Sequence, residues 1–357
     1  MEVNPHFWAG KRVCVTGGTG FLGRHLVESL RALTPHIRIL GLPPAAPELD
    51  GWLEGWDCVL GDIRDAAVVR RAITDCDVVF HAAGTIAMHG PALKQIHAIH
   101  VVGTQNVLQA LPPEARLVHT SSVMAVGASV SRTLLTEESP FELARLRVDY
   151  VHAKRAAEEL ALAAARRGLD VTVVNPSFLL GPNNFEIRGI MQTCVRFWRG
   201  KVPLIPPGGM NCVDVRDVAR GHLLAAEHGR AGRRYILGGD NPTMGELVRL
   251  LAEVRGLRPR WRPPLPLWLF GALAWGAELR AGLLKREPYP SLHQYRLSRL
   301  YWFYSSARAQ VELGYRARPL RQTLVDVHEW ACAHGCVKTR PGQRFDNEPA
   351  MIQRDPA

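Results

Sequence analysis

Cysteine, long apolar runs and clustered charge are all scarce in this sequence. Its 7 cysteines among 357 residues are odd in number and show no paired spacing, which favours a reducing cytoplasm over a disulfide framework. The first predicted strand begins almost at once, so no signal peptide is predicted. The most apolar run, Leu265 to Ala277, is shorter than the ~20 residues of a spanning helix. We therefore expect a cytoplasmic protein, with a peripheral position at the inner face of the membrane as an open alternative.

The charge balance is positive, but the positive charges form no stripe. The formal net charge is +11 and the sequence pI is near 9.7. Because the arginines are scattered singly, we expect no nucleic-acid partner; an anionic cofactor or an anionic membrane surface accounts for the excess at least as well. Cys332, His334 and Cys336 could suggest a metal site, but no second ligand pair accompanies them, so none is predicted.

A glycine-rich turn near the start organises the rest of the chain. The apolar, β-branched run at Val13 to Thr16 leads into Gly17, Gly20 and Gly23, and an amphipathic helix is predicted from Arg24 to Leu33. Glycines let the backbone turn sharply and approach a pyrophosphate, whose charge the helix N-terminus favours. A glycine pattern alone is weak evidence, but its place between a strand and a helix predicts a dinucleotide-binding site.

Strands and helices then alternate, which predicts an α/β fold: a doubly wound parallel sheet of the Rossmann type. Asp65 is predicted to cap the second helix, which runs to Thr74. The other predicted strands and helices up to residue 176 are His36–Leu40, Trp56–Leu60, Asp77–Phe80, Pro91–Ala110, Arg116–Thr120, Asp149–Arg166 and Val171–Val174.

Beyond Pro176 the alternation breaks, and Gly, Pro and Asn cluster at 181–184 and 203–209. The predicted elements here are Val215–Glu227, Arg234–Leu237 and Met244–Arg255. We predict a dinucleotide-binding domain over 1–176, mainly a smaller substrate domain over 177–336 with some strands returning to the first sheet, and a disordered tail over 337–357.

Three polar side chains could perform acid–base chemistry. Tyr150 and Lys154 are four residues apart on a predicted helix, so both leave the same face. An ammonium beside a phenol favours its ionised form and lowers its pKa toward working pH. Ser122 follows a strand of the same sheet, where its hydroxyl could hold a substrate oxygen against Tyr150. Tyr150 and Lys154 alone could be a solvated pair, and Ser122 alone could be a turn former. The three together favour an active site.

These residues belong to a series of ordered motifs that resembles the extended short-chain dehydrogenase/reductase family from about Arg12 to Gly335. The branch it most resembles holds 3β-hydroxysteroid dehydrogenases, dihydroflavonol reductases and hopanoid-associated sugar epimerases. The matching motifs are Thr16–Gly23, Gly61–Asp65, His81–Gly84, Thr120–Ser122, Tyr150–Lys154, Val174–Ser177, Arg234–Gly239, Phe303–Ala307 and Glu312–Tyr315.

The resemblance implies a role for each matching residue. Lys154 would bind the nicotinamide ribose and lower the pKa of Tyr150, the catalytic acid/base, while Ser122 orients the reacting oxygen. It also implies that relatives pair through the helices 91–110 and 149–166, giving a homodimer. The implied cofactor-binding residues are Gly17, Gly20, Phe21, Leu22, Gly23, Asp62, Ile63, Ala82, Ala83, Gly84, Tyr150, Lys154, Pro176 and Ser177.

Two departures from the family pattern stand out. His100 occupies the position of an Asn that the family often carries in an Asn-x-x-Gly-Thr pattern, which leaves part of the proton-relay support open. About twenty residues past the glycines, where an acid or an Arg would select the cofactor, the chain reads Gly41-Leu42-Pro43. The cofactor is therefore expected to be NAD or NADP, without a choice between them.

In sugar-nucleotide enzymes of the family, an Arg binds the diphosphate of the substrate. This chain lacks that cation. Met210 stands at that position, and burying a diphosphate without a cation would be costly. An apolar stretch at 264–284 contains Trp268, Phe270 and Trp275 between basic flanks. It is either a packed core helix or an apolar lid over a lipid-like substrate, resting on a membrane.

The predicted function is NAD(P)-dependent oxidation or reduction at a secondary alcohol or ketone of a bulky apolar substrate, with a sterol or triterpenoid first. Loss of carbon dioxide from C4 would follow if the substrate carries a carboxyl group β to the new ketone. Two alternatives remain: a sugar epimerase or dehydratase with tightly held NAD, and a non-catalytic cofactor-sensing protein.

Overall fold

A seven-stranded parallel sheet lies at the centre of the fold. The computed structural model describes residues 1–86, 95–200, 205–257, 265–284, 288 and 290–338. The strands are β1 Val13–Thr16, β2 Ile37–Gly41, β3 Asp57–Leu60, β4 Val78–His81, β5 Arg116–Thr120, β6 Val171–Pro176, β7 Phe178–Leu180, β8 Gly209–Met210, β9 Cys212–Asp214, β10 Arg234–Leu237 and β11 Tyr301–Trp302. The main sheet has the order β10-β6-β5-β4-β1-β2-β3, with every pair parallel. The predicted α/β sheet is confirmed.

Helices cover both faces of this sheet and also build the C-terminal part. They are α1 Pro5–Trp8, α2 Phe21–Arg31, α3 Ala66–Ile73, α4 Gly103–Ala110, α5 Val123–Val126, α6 Asp149–Arg166, α7 Ile190–Trp198, α8 Val215–His228, α9 Met244–Val254, α10 Leu267–Leu284, α11 Leu292–Ser298, α12 Ala307–Leu313 and α13 Leu320–Ala333. The alternation of side chains along a strand explains the two layers. Val15 packs with α2 and α8 on one face, whereas Cys14 packs with α3, α4 and α6 on the other.

The strand order reverses beside β1. The chain builds β1, β2 and β3 in one direction and then returns to place β4 on the opposite side of β1. In a doubly wound sheet, a ligand crevice forms at the carboxyl ends of the strands where the order reverses. The glycine turn at Gly17 and the Ala82–Gly84 segment follow β1 and β4, so both lie at this point.

The C-terminal part adds two small sheets and a second apolar core. β7 pairs with β9, and β8 pairs with β11. This core is built by α7, α9 and α13. β10 joins the main sheet beside β6. Val337, the first residue of the predicted tail, is buried and donates its N–H to the Ala331 carbonyl, so packing reaches that residue. Residues 339–357 lie outside the described residues.

Two predicted helices differ from those observed by more than one residue at an end. α2 begins at Phe21, three residues earlier than predicted, because Gly20 is extended and serves as its N-cap. The predicted helix 91–110 is observed in part, since residues 87–94 lie outside the described residues. Within the remainder, Ala98–Val102 form a π-helical turn before α4 begins. α6 spans the predicted Asp149–Arg166.

Candidate active site

The glycine turn packs directly against the segment that follows β4. Gly17 has φ +70°, and a Cβ there would lie 2.6 Å from the Ala83 Cα. A Cβ on Gly23 would lie 2.1 Å from the Gly17 carbonyl oxygen. No other residue fits either position without moving backbone. The turn and the Ala82-Ala83 backbone therefore form one continuous surface at the crevice.

This surface has the donors that an anionic dinucleotide requires. Gly20 caps α2 without a side chain, so no side-chain oxygen occupies the amides of the first helical turn at Phe21, Leu22 and Gly23. The hydroxyl oxygens of Ser121 and Ser177 are buried, and neither has a hydrogen-bond partner in the described part of the chain. These observations fit a bound nicotinamide dinucleotide. The predicted cofactor residues lie in the first turn of α2, on α6, just after β1, β3 and β4, or at the end of β6.

Asp62 and Ile63 follow β3 and flank the same crevice. Arg64 donates to both carboxylate oxygens of Asp62, and this hydrogen bonding holds the pKa of that carboxyl below its usual value. Ile63 packs on Gly103, and its carbonyl accepts from Asn106 Nδ2 at 3.1 Å. Their adenine-flanking role stays a prediction.

Tyr150 and Ser122 meet beside the turn. Ser122 caps α5, and its Oγ accepts the Met124 N–H at 3.2 Å, which holds the hydroxyl in place. Tyr150 is 7% exposed, in the first turn of α6. Burial raises the pKa of the phenol to about 12, while a hydrogen bond with Ser122 acts in the opposite direction. The phenol is thus neutral and in contact with the serine.

Lys154 lies one turn beyond Tyr150, but its ammonium points elsewhere. Lys154 Nζ donates to the Thr120 carbonyl at 2.9 Å, at the end of β5. Burial lowers its pKa to about 8, and the Glu158 carboxylate opposes that shift. The sequence predicts that Lys154 lowers the pKa of Tyr150. In the structure this pKa is raised instead, because burial of the phenol outweighs the hydrogen bond with Ser122 that lowers it.

His100 lies against both groups. The π-helical turn carries its ring edge-on to the Tyr150 ring, with centroids 5.6 Å apart. Nε2 lies 2.9 Å from the Thr85 carbonyl oxygen and 3.4 Å from the Thr85 nitrogen. Burial, assisted by Lys154, lowers the pKa of His100 to about 3. It is a neutral imidazole, as are the buried His81 and His119.

Two buried polar residues behind the site had not been assigned roles from sequence. Glu158 is fully buried on α6, and Asn175 is fully buried on β6. Asn175 Nδ2 donates to the Glu158 carboxylate at 2.5 Å and to the Ser122 carbonyl at 3.0 Å. The spacing of Tyr150, Lys154 and Glu158, each four residues apart, could have revealed the carboxylate.

Apolar side chains pack around Tyr150. Tyr150 belongs to one packed cluster with Met124 and Trp302, and Phe178 and Met210 pack against it. The Phe178 and Trp302 rings contact edge to face, with centroids 6.2 Å apart. Met210, at the position where a diphosphate-binding Arg would stand, thus contributes to an apolar wall.

Helix α10 buries one face and exposes the other. Phe270 and Ala274 are buried, whereas Trp268 is 72%, Trp275 61% and Leu279 53% exposed. One face of the helix is therefore packed as a core helix would be, and the other carries two exposed tryptophans. In the described part of the chain, no helix combines the length and the apolar character needed to cross a bilayer.

Comparisons with known proteins agree with this geometry. The sequence model of the NAD dependent epimerase/dehydratase family matches residues 13–238. A Synechocystis protein named for dihydroflavonol 4-reductase is 33% identical over 349 residues, covering 95% of this chain and 100% of that protein. Sterol demethylase protein B of Methylococcus capsulatus is 32% identical over 330 residues, covering 90% and 99%.

A solved structure, that of gox2253, is similar along its whole length. It is 29% identical, with a TM-score of 0.79, and the match covers 92% of this chain and 100% of that chain. The family match covers the strands that form the crevice and the helix that carries Tyr150 and Lys154. The chain therefore belongs to the NAD-dependent epimerase/dehydratase family and is an NAD(P)-dependent enzyme of the extended short-chain dehydrogenase/reductase type.

Proposed function

We propose that this enzyme is an oxidoreductase of the 3β-hydroxysteroid dehydrogenase type, acting on a secondary alcohol or ketone of a bulky apolar molecule. A sterol or triterpenoid is the first choice. The observation that carries the proposal is the apolar wall of Phe178, Met210 and Trp302 beside the Tyr150 phenol. A diphosphate placed there would lose its hydration without gaining a cation from Met210.

The roles follow from position. The nicotinamide, when bound, accepts or supplies the hydride. Tyr150 moves the proton of the reacting oxygen, because its phenol lies at the crevice in contact with Ser122. Ser122 holds that oxygen, with its own Oγ oriented by the Met124 amide. Lys154 holds the nicotinamide ribose, since it lies on α6 one helical turn beyond Tyr150 and its ammonium reaches the end of β5 at Thr120.

The substrate class also draws support from a relative. One protein 32% identical over 90% of this chain is named for sterol demethylation. For a sterol that carries a carboxyl group β to the new ketone, oxidation would be followed by loss of carbon dioxide. The proposal includes this step for such substrates.

The test is the absorbance of reduced nicotinamide when the protein meets NAD or NADP and a panel of 3β-hydroxy sterols and triterpenoids. Tyr150→Phe should slow turnover by about 10²- to 10⁴-fold, the usual contribution of a general acid/base. Tyr235→Phe is the matched control, since that hydroxyl donates to Glu312 outside the crevice. If no panel member drives reduction while acid-denatured protein releases nicotinamide, the sugar epimerase or dehydratase alternative replaces this one.

We also propose that the exposed face of α10 rests on an anionic membrane surface. Trp268, Trp275 and Leu279 are spaced along one face. Of the two charged residues on this helix, Glu278 is turned toward Leu292, whose N–H it accepts, whereas Arg280 is exposed. The sequence on either side adds Arg258, Arg260, Arg262, Lys285 and Arg286.

Sedimentation with vesicles tests this contact. The protein should associate with phosphatidylglycerol vesicles at low salt and not with phosphatidylcholine vesicles. The double variant Trp268→Ser/Trp275→Ser should abolish association, whereas Val311→Ser, at an 81% exposed site on α12, should leave it intact. Absence of association with anionic vesicles at low salt would eliminate the membrane contact.

A homodimer through α4 and α6 completes the proposal. A groove of about 670 Å³ lies on the outer faces of these helices and of the π-helical turn before α4, and includes Val101, Leu160 and Ala163. Light scattering should give twice the chain mass, and Ala163→Arg should shift it to the monomer. A monomeric wild-type protein at micromolar concentration would contradict this.

A further inference from the structure

Glu158 is a buried carboxylate directly behind the proposed catalytic residues. It has no exposed surface and lies one helical turn beyond Lys154 on α6. Its Oε1 accepts from Arg234 Nη1 at 2.9 Å, and its Oε2 accepts from Asn175 Nδ2 at 2.5 Å. A buried charge of this kind destabilises the fold unless it is fully paired. Its partners therefore indicate what it holds in place.

One arm of this arrangement reaches the main chain of Ser122. Asn175 Nδ2 donates to the Ser122 carbonyl at 3.0 Å as well as to Glu158. Because a carboxylate can only accept, Glu158 determines which end of the Asn175 amide faces Ser122. The carboxylate thus acts across β6 on the residue whose hydroxyl contacts Tyr150.

The other arm is electrostatic and reaches Lys154. The titratable groups that face Lys154 from neighbouring elements are buried and neutral: His81 on β4, His100 on the π-helical turn, His119 on β5 and His222 on α8. Tyr150, on its own helix, is also neutral. Glu158, fully buried one helical turn beyond Lys154 on the same helix, is the carboxylate that opposes the effect of burial on the ammonium. Arg234, 17% exposed on β10, partly balances that charge from the far side.

We propose that Glu158 is a positioning residue of this active site, keeping the Lys154 ammonium charged and, through Asn175, holding the main chain at Ser122. The inference rests on the proposed roles of Ser122, Tyr150 and Lys154. Neither arm requires Glu158 to touch substrate or cofactor. Removing the charge and removing the amide tie should therefore have different effects.

The charge is tested by the titration of Lys154, which needs no substrate. The chain has only six lysines, so ¹³Cε-lysine spectra of the full protein resolve Lys154, assigned by its loss in Lys154→Arg. In Glu158→Gln, we expect its midpoint to fall from about 8 by about one pH unit, the effect of an opposite charge nearby. Glu159→Gln is the matched control, because that carboxylate is 59% exposed and pairs with Arg155. It should leave the midpoint unchanged.

Asn175→Ala distinguishes the two effects, because it removes the hydrogen bonds to Ser122 and Glu158 and leaves the Glu158 carboxylate in place. We expect the Lys154 midpoint to stay and kcat with an active panel substrate to fall at least about tenfold, or about 1.4 kcal/mol. If Glu158→Gln does not fold, Glu158→Asp retains the charge and should keep the midpoint. A folded Glu158→Gln with the wild-type midpoint, or a midpoint that falls in Glu158→Asp, would overturn the electrostatic arm. An unchanged kcat in Asn175→Ala would overturn the tie. Failure of the substrate panel would leave the titration result standing.

Discussion

Replacing Gly17 by Ala should lower the free energy of unfolding by more than the backbone strain at this position alone. With φ +70° at this position, a side chain adds about 1–2 kcal/mol of backbone strain. The new Cβ would also lie 2.6 Å from the Ala83 Cα and 2.7 Å from the Ala83 nitrogen. Forcing the two segments apart adds about 1–3 kcal/mol, the usual cost of overpacking. We expect a total loss of about 2–5 kcal/mol in the free energy of unfolding.

Two other glycines separate these contributions. Gly10 has nearly the same φ, +74°, with no atom within 4 Å of a Cβ, so Gly10→Ala should lose only the strain of about 1–2 kcal/mol. Gly245 lies in α9 with ordinary φ and open space, so Gly245→Ala should be neutral or gain up to about 1 kcal/mol. Denaturant unfolding of the three variants gives each value.

Cofactor binding provides the second readout. The Gly17 turn and the Ala82-Ala83 backbone form one surface, so parting them should weaken NAD binding by at least about tenfold, or about 1.4 kcal/mol. Calorimetric titration of Gly17→Ala and Gly10→Ala with NAD measures this difference. A Gly17→Ala variant that matches Gly10→Ala in both stability and NAD affinity would refute the close approach of these segments.

Three further predictions concern a cap, the histidines and the apolar wall. Asp65→Ala should lower the free energy of unfolding by about 0.5–2 kcal/mol, since Asp65 Oδ1 accepts from the Ala67 and Val68 amides, while Asp65→Asn should lose far less in the same denaturant assay. Stability should be complete above pH 6.5 and decline as the pH falls toward 3–4, because the unfolded chain binds protons that the folded one excludes. The free energy of unfolding, measured at each pH, should change by at most about 1.4 kcal/mol per pH unit for each buried histidine. A free energy that does not change with pH would contradict burial of His81, His100 and His222. Met210→Arg should lower kcat/KM for an apolar substrate by at least about tenfold without changing the melting temperature. An unchanged kcat/KM would show that Met210 does not line the substrate site.

Local signals in the chain were sufficient for much of the fold. Strand β5 and helix α6 have their predicted bounds, and Asp65 caps α3 as predicted. Apolar periodicity, capping oxygens and glycine spacing act over a few residues, so they can be read without knowing what packs against them. The three catalytic candidates were also identified in this way, because each stands in a short ordered motif.

Other features depend on contacts between distant segments. The exposed face of α10 could not be told from a core face by its composition, because tryptophans suit both positions. The pKa of Tyr150 is raised, whereas the sequence predicts that it is lowered. The burial that raises it depends on the whole packed cluster around the phenol. His100 reaches Tyr150 through a π-helical turn that the periodicity of its segment does not indicate.

The sequence by itself determined the order of the sheet's building blocks, the glycine turn and the residue types available for chemistry. These depend on short-range sterics and hydrogen bonding. Only the tertiary structure decided which charges are buried beside Lys154, which carboxylate accepts from Asn175 beside the Ser122 carbonyl, and which apolar face is left to solvent. Burial and Coulomb energy depend on everything that surrounds a group, and those surroundings come from segments far apart in the chain.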